Sequence, residues 1–141
     1  MTPGTLLFHQ NFRFHDGNKA NNILVCLGIN GDVMLVAKTR SKGGRFSNSY
    51  GSQPSNKFPC FHIPKGQSIL KQATWICLDE FYELIDNHIS QSYFSKELKH
   101  IGTLENELLE QLLECVLMCE DVASVQKHIV NTARKNLHAQ L

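Results

Sequence analysis

A histidine stands where the first predicted strand ends, in the motif Phe-His-Asp-Gly over residues 14–17. An imidazole titrates near neutral pH, so His15 could act as a general acid or base. Asp16 and Gly17 are typical of a tight turn, because the carboxylate hydrogen-bonds nearby backbone groups and glycine accepts a positive φ. We interpret Asp16 as a turn residue and leave His15 open between a catalytic group and an ordinary loop residue.

A threonine between two cations closes the third predicted strand, in the order Lys38, Thr39, Arg40. Strand alternation places Lys38 and Arg40 on one side and Thr39 on the other. A hydroxyl at a strand end with flanking cations could receive a phosphate group. An ordinary strand terminus is the alternative, and these residues taken alone favour it.

Two pairs of side chains could hold a metal ion. Cys115 and Cys119 are one helical turn apart, but they lie within a predicted apolar stripe and no second cysteine pair accompanies them. Cys60 and His62 share one face of a predicted strand. Two ligands make a weak site, because structural metal centres use four. The sequence therefore favours core packing for these cysteines and predicts neither a metal nor another cofactor.

Strand signals dominate the first eighty residues. Predicted strands cover residues 5–14, 23–28 and 33–39, and a polar loop is predicted over residues 15–22. The second strand is a continuous apolar run, which indicates burial on both faces. Asn30-Gly31 between two apolar runs predicts a tight hairpin.

The middle of the chain is less regular. Residues 40–57 are rich in glycine and serine and predict a long loop. Residues 58–63 predict a strand at a sheet edge, because proline cannot donate a ladder hydrogen bond. Residues 74–81 predict the last strong strand, which carries the only tryptophan, Trp75, as a large core or interface residue.

Two helices are predicted in the C-terminal region. The segment over residues 101–103 is expected to turn, with Thr103 as the N-cap of a leucine-rich helix. Apolar residues at helical spacing predict a second helix over residues 122–137. The expected architecture is one domain over residues 1–141, with a small barrel at about 4–101 and helices at about 103–138.

The composition is that of a globular protein, with 42% hydrophobic and 19% charged residues. No secretory signal and no membrane-spanning apolar run is evident, and the five cysteines suit reduced thiols in the cytoplasm. Charge is segregated: residues 33–78 contain no Asp or Glu, whereas residues 79–121 contain eleven. A basic segment without carboxylates attracts a phosphate backbone, although it could equally be a solvated surface.

The order and spacing of these segments resemble the MazF/PemK toxins of bacterial toxin–antitoxin systems. The resemblance is carried by TWICLDEFYEL (74–84), KHIGTLENELLEQLLECV (99–116), GTLLFHQNFRFHDGNKANNILVCLG (4–28) and VMLVAKT (33–39). It covers most of residues 4–117. It implies a mainly β fold with C-terminal helices, namely a small SH3-like (MazF/PemK-like, CcdB-like) β-barrel capped by a C-terminal α-helix.

The resemblance also implies a function. Members of this family are homodimers that cleave single-stranded RNA without a metal. The RNA's own 2′-hydroxyl is the nucleophile, so the protein must take its proton, stabilise the charged phosphorane and protonate the leaving oxygen. The implied partners are single-stranded RNA, an antitoxin protein and a second copy of the chain, with no membrane.

The family's site maps onto this chain with one departure. Its threonine or serine at the end of the third strand matches Thr39, but its arginine before the second strand, usually followed by proline, falls on Asn21 and Asn22. With that arginine missing, a reassembled site is expected to use Thr39 at the phosphate, Lys19 or Arg40 on the negative charge and His15 as base or acid. The implied RNA-binding residues are Arg13, Lys38, Arg40, Lys42, Arg45 and Lys57.

The departure at Asn21 and Asn22 leaves two functions open. The first is an endoribonuclease with a reassembled site. The second is a barrel that has lost catalysis and binds a nucleic acid or a protein, which the charge asymmetry also suits.

Overall fold

The computed structural model of the chain describes residues 1–44, 46 and 48–140, which form eight strands and three helices. The strands are β1 (Thr5–Arg13), β2 (Lys19–Asn30), β3 (Val33–Arg40), β4 (Gly51–Gln53), β5 (Cys60–Ile63), β6 (Thr74–Cys77), β7 (Tyr82–Ile85) and β8 (Leu98–Thr103). The helices are α1 (Asp86–Phe94), α2 (Asn106–Met118) and α3 (Ser124–Gln140). The prediction of a mainly β chain with C-terminal helices is confirmed.

The strands form one antiparallel sheet in the order β4-β5-β6-β3-β2-β1-β8, and β7 also pairs with β3. The predicted hairpin is confirmed, because Asn30 is opposite Val33 and a two-residue turn joins β2 to β3. Gly31 in that turn has a φ of 61°, which costs glycine little and other residues more.

The central strands are buried on both faces, as the apolar run in β2 predicts. Val25 and Leu27 belong to a cluster that α2 and α3 cover. Leu24 and Cys26 point to the opposite face, into a second cluster with residues of β7, α1 and β8. Gly28 allows α3 to approach β2 closely, since a Cβ there would lie 2.7 Å from Cγ2 of Ile129.

The last predicted strand is interrupted. Residues 74–81 do not form one strand, because β6 ends at Cys77 and a separate strand, β7, starts at Tyr82. Both strands pair with β3: Thr39 is opposite Ile76, and Val36 is opposite Tyr82. The intervening chain bulges away from β3 and carries Glu80 towards Lys38.

Three features in the first part of the chain also differ from the predictions. The loop over residues 15–22 is shorter than expected, because β2 begins at Lys19 and pairs with the end of β1. The predicted loop over residues 40–57 contains β4. The edge position predicted for β5 is wrong, because β5 pairs with β4 on one side and β6 on the other.

The turn predicted at residues 101–103 is also wrong. These residues belong to β8, where Thr103 is opposite Thr5 of β1. The N-cap position of α2 is therefore Glu105 and not Thr103. Tertiary pairing with β1 decides this segment against its local turn signal. The apolar face of α2 is confirmed, since Leu112, Cys115 and Val116 are fully buried.

Among the residues that the structure describes, no helix has both the length and the apolar character needed to cross a membrane.

Candidate functional site

Hydrogen bonds to residues of β2 hold both the side chain and the main chain of Thr39. Its hydroxyl donates to the carbonyl oxygen of Ile23 at 2.7 Å. The Asn22 side chain accepts from the Thr39 N–H at 3.0 Å and donates to the Thr39 carbonyl at 2.9 Å. The residue is only 6% exposed. This hydroxyl therefore uses its one proton to tie β3 to β2, the role of a strand terminus, and a phosphate beside it would need other donors.

Such donors line a cavity of about 560 Å³ that opens beside Thr39. Arg40 and Lys71 are the two basic residues that line it, and both are exposed. The guanidinium carbon of Arg40 also lies 5.6 Å from the centre of the Phe46 ring. Further amide and hydroxyl groups come from Asn21, Ser41 and Gln72, whereas the Asn22 amide and the Thr74 hydroxyl already donate to the Thr39 and Gln72 carbonyls. None of the described residues that line the cavity is an Asp or a Glu. The cavity thus combines positive charge with hydrogen-bonding groups.

The opposite wall of the same cavity is apolar. Phe8, Ile69 and Ile101 contribute to it, and Ile69 is 54% exposed. Ile69 lies against β8 at Gly102, where a Cβ would stand only 2.1 Å from its Cδ1 atom. The glycine therefore lets the end of the Ile69 side chain lie directly on β8, and a larger residue would displace it. A flat apolar ligand group, such as a nucleobase, fits a surface of this kind.

A second groove lies on the other side of Asn22 and Thr39. Its volume is about 450 Å³, and it contains Lys38 and Glu80. Lys38 forms a salt bridge with Glu80. Burial alone would lower the pKa of Lys38, but the hydrogen bond and charge of Glu80 outweigh it and raise that pKa. Burial would likewise raise the pKa of Glu80, yet Lys38 holds it below its ordinary value. The charge of Lys38 is therefore largely compensated.

His15 lies apart from the cavity at Thr39. Its Nε2–H donates to the Phe81 carbonyl at 2.8 Å, and its ring stacks on Tyr82 with centroids 3.9 Å apart. Because a carbonyl only accepts, the neutral ring carries its proton on Nε2 and leaves Nδ1 as an acceptor. His15 and Lys19 line a third groove of about 700 Å³ that does not include Thr39. Thr39, Lys19 and His15, the residues expected to be catalytic, are thus not brought to one cavity.

The other predicted RNA-binding residues are spread over the surface. Arg13 lines the groove of His15, and Lys42 is exposed next to Ser41. Lys57 lies near Glu120 and Asp121, with its Nζ atom 5.6 Å from the centre of the Phe58 ring. Arg45 lies outside the described residues. Of the predicted RNA-binding residues that the structure describes, Arg40 alone lines the cavity of about 560 Å³, whereas both Lys38 and Arg40 line the second groove.

A pair of histidines that sequence reasoning missed joins β1 to α1. His9 is 4% exposed, and its Nε2 lies 3.2 Å from Nε2 of His88. The ring centroids are 5.5 Å apart, so the two Nε2 atoms lie between the rings and point at each other, as in a hydrogen bond. Nδ1 of His9 donates to the Gln10 carbonyl at 2.9 Å. Neutral His9 therefore accepts the proton of His88, and His88 would have to shift its own proton to Nδ1 to accept from a protonated His9.

We expect the free energy of unfolding to decrease as the pH falls below about 6.5. Burial, together with the charge of His88, lowers the pKa of His9 in the folded chain. Between that lowered value and 6.5 the unfolded chain binds more protons, so stability rises with pH in this window. The loss is about 1.4 kcal/mol for each unit by which the two pKa values differ.

Urea unfolding between pH 5 and pH 8 measures this dependence. A His9→Phe variant should flatten the curve below pH 6.5, whereas His128→Phe, at an exposed position on α3, should leave the slope as in the wild type. Equal slopes in all three proteins would contradict the assignment.

No group of three or more His, Cys, Asp or Glu side chains in the described part of the chain is placed to hold a metal ion. Cys60 and His62 do share a strand face, as predicted, and His62 stacks on Trp75 at 4.2 Å.

Sequence reasoning also missed Lys71 and Gln72 at the cavity and Glu80 beside Lys38. The cluster of polar residues just before β6 was the available signal for the first two. Comparisons of the chain with protein-family models, with curated proteins and with solved structures find no match.

Proposed function

We propose that this chain binds single-stranded RNA in the cavity between Thr39 and Lys71. The observation that carries the proposal is the lining of that cavity, in which Arg40 and Lys71 stand beside amide groups and an apolar wall, with no carboxylate among its described residues. Cations attract the phosphates, amides can hydrogen-bond base edges, and an apolar wall accepts an unstacked base. These are the three parts of a site for single-stranded RNA.

The distribution of charge supports the same proposal. The basic segment over residues 33–78 contains both cations of the cavity. Among the carboxylates of the acidic segment, Glu114 has a partner of its own, since it accepts from Arg134 at 2.6 Å. An anionic strand would therefore meet positive charge at the cavity that Arg40 and Lys71 line.

We further propose that the fold is an SH3-like barrel of the MazF/PemK type. Strands β8, β1, β2, β3 and β7 follow one another by pairing, and α1 joins the two outer ones. Residues from all five strands and from α1 share one buried cluster, as the inside of a small barrel requires. A cytoplasmic homodimer that binds an antitoxin protein belongs to the same proposal.

The test is the affinity for a fluorescent single-stranded RNA at several salt concentrations. The logarithm of the association constant should fall linearly with that of salt, by about 0.7 per phosphate neutralised. A duplex of the same sequence should bind more weakly, because its bases are already stacked. Absence of binding at low salt would refute RNA binding, and binding that does not respond to salt would refute the role of Arg40 and Lys71 as phosphate contacts.

Endoribonuclease activity is the second candidate, and the geometry of His15 favours it. The ring is oriented by its bond to Phe81 and keeps Nδ1 as a base, in a groove that also contains Arg13 and Lys19. A strand bound at Arg40 would have to continue past Asn18 to reach this groove. There His15 could take the proton of a 2′-hydroxyl.

Incubation with a long single-stranded RNA in the presence of EDTA tests this activity. An active enzyme should create new 5′-hydroxyl ends. His15→Gln, whose amide can still donate to the Phe81 carbonyl but cannot take a proton, should cleave at least about 100-fold more slowly with unchanged affinity. Intact RNA with the wild-type protein would exclude cleavage and leave the binding proposal standing, and a fully active His15→Gln would remove His15 from the reaction.

A further inference from the structure

Two cysteines lie directly opposite each other on neighbouring strands. Cys60 of β5 and Cys77 of β6 are Cα partners in antiparallel register, and both belong to one buried cluster with Trp75. The Leu78 N–H donates to the Pro59 carbonyl at 3.0 Å. That bond makes Pro59 and Leu78 a hydrogen-bonded pair, so the adjacent cysteines form a non-hydrogen-bonded pair.

This type of pair has the geometry of a disulfide. In non-hydrogen-bonded antiparallel pairs the Cα atoms are about 4.5 Å apart, within the range of about 4.4–6.8 Å that disulfides span. Side chains opposite each other also point to the same face of the sheet. We propose that Cys60 and Cys77 are a redox modification site that closes to a reversible disulfide, independently of any binding of RNA.

The reaction needs a small disulfide, such as oxidised glutathione, as oxidant. One cysteine thiolate attacks its S–S bond and releases one glutathione thiol, which leaves a mixed disulfide on the protein. The second thiolate attacks the protein sulfur of that intermediate and releases the second glutathione thiol. Two protein thiols are thereby oxidised, and one disulfide is reduced to two thiols.

Burial controls the rate of this exchange. Both cysteines are 0% exposed. Burial, and secondarily the charge of Asp79, raise the pKa of Cys77 to about 12. Phe46 and Phe58, from the segment between β3 and β5, pack on the same cluster. The thiols therefore react only when the packing over β5 and β6 opens locally, and the disulfide is protected from reductants while that packing is intact.

The test uses the full wild-type chain with oxidised glutathione, followed by trypsin digestion and mass spectrometry. Two of the five thiols should be lost, and the peptides over residues 58–65 and 72–96, which carry one of these cysteines each, should be joined. The oxidised protein should melt about 10 °C higher than the reduced one, because the bond closes a loop in the unfolded chain. Dithiothreitol should reverse both changes.

Variants separate this pair from the other cysteines. Cys26→Ala should still lose two thiols, whereas Cys60→Ala should form no intramolecular disulfide. A disulfide mapped to Cys115 or Cys119 would overturn the proposal. A second outcome would also overturn it. At a low denaturant concentration, hydrogen exchange can show that the amides of β5 and β6 open, and all five thiols could still remain unreacted under that condition. Peptide mapping on the wild type decides the matter even if a variant fails to fold.

Discussion

Replacing Arg40 and Lys71 together by glutamate is expected to weaken binding of single-stranded RNA by at least about 100-fold. Each cation that is removed takes away a charge-assisted hydrogen bond worth about 1.5–3 kcal/mol, and about 1.4 kcal/mol is tenfold in affinity. The new carboxylates also repel the phosphates from a cavity whose described lining has no acidic residue in the native chain. The slope of affinity against salt should become shallower by about 0.7 for each phosphate that is no longer neutralised.

The matched control is the double variant Lys65→Glu, Lys135→Glu. It changes the net charge by the same amount, but both lysines are exposed and neither lines the cavity. Fluorescence anisotropy on the same RNA should give at most a few-fold loss, from the altered overall field. If both double variants lose affinity equally, binding is a property of net charge, and the cavity is not the site.

The largest loss of stability is expected from Phe61→Ala, at about 3–5 kcal/mol. Phe61 on β5 is 0% exposed, in the cluster that also contains Ile76 of β6 and Leu112 of α2. Truncation removes apolar contacts and leaves a cavity where sheet and helix meet, which the surroundings fill only in part. The measurement is the free energy of unfolding in urea.

Phe94→Ala supplies the control for the same chemical change. This phenylalanine ends α1 and is 92% exposed, so its removal should alter the free energy of unfolding by no more than about 0.5 kcal/mol. Similar losses in the two variants would mean that β5 and α2 do not share a core in solution, and the packing described above would be wrong.

Local signals predicted the parts of the fold that depend on nearby residues. Asn30-Gly31 specifies its own turn, because few residue pairs accept the backbone angles that a two-residue hairpin needs. The apolar run of β2 predicted burial on both faces, and the leucine spacing of α2 predicted its buried side. Asp16 also acts as predicted, since its carboxylate accepts from the Asn18 N–H at 2.9 Å.

Predictions failed where distant segments compete with local ones. Residues 101–103 carry a turn signal but extend as part of β8, because β1 supplies partners for their backbone groups. Residues 74–85 form two strands and not one, because both pair with the same strand, β3, on either side of a bulge. Neither the pairing of β8 with β1 nor that of β6 and β7 with β3 can be predicted from the local sequence of these segments alone.

Some features of the candidate site were likewise predictable from the sequence, and others depend on contacts between distant residues. The sequence by itself determined that a basic, carboxylate-free segment surrounds Thr39, since charge is a property of composition. Only the tertiary structure decided that the Thr39 hydroxyl is used by Ile23, that Glu80 compensates Lys38, and that Lys71 joins Arg40 at one cavity. These contacts join residues far apart in the chain, and their geometry is set by strand pairing and not by local preference.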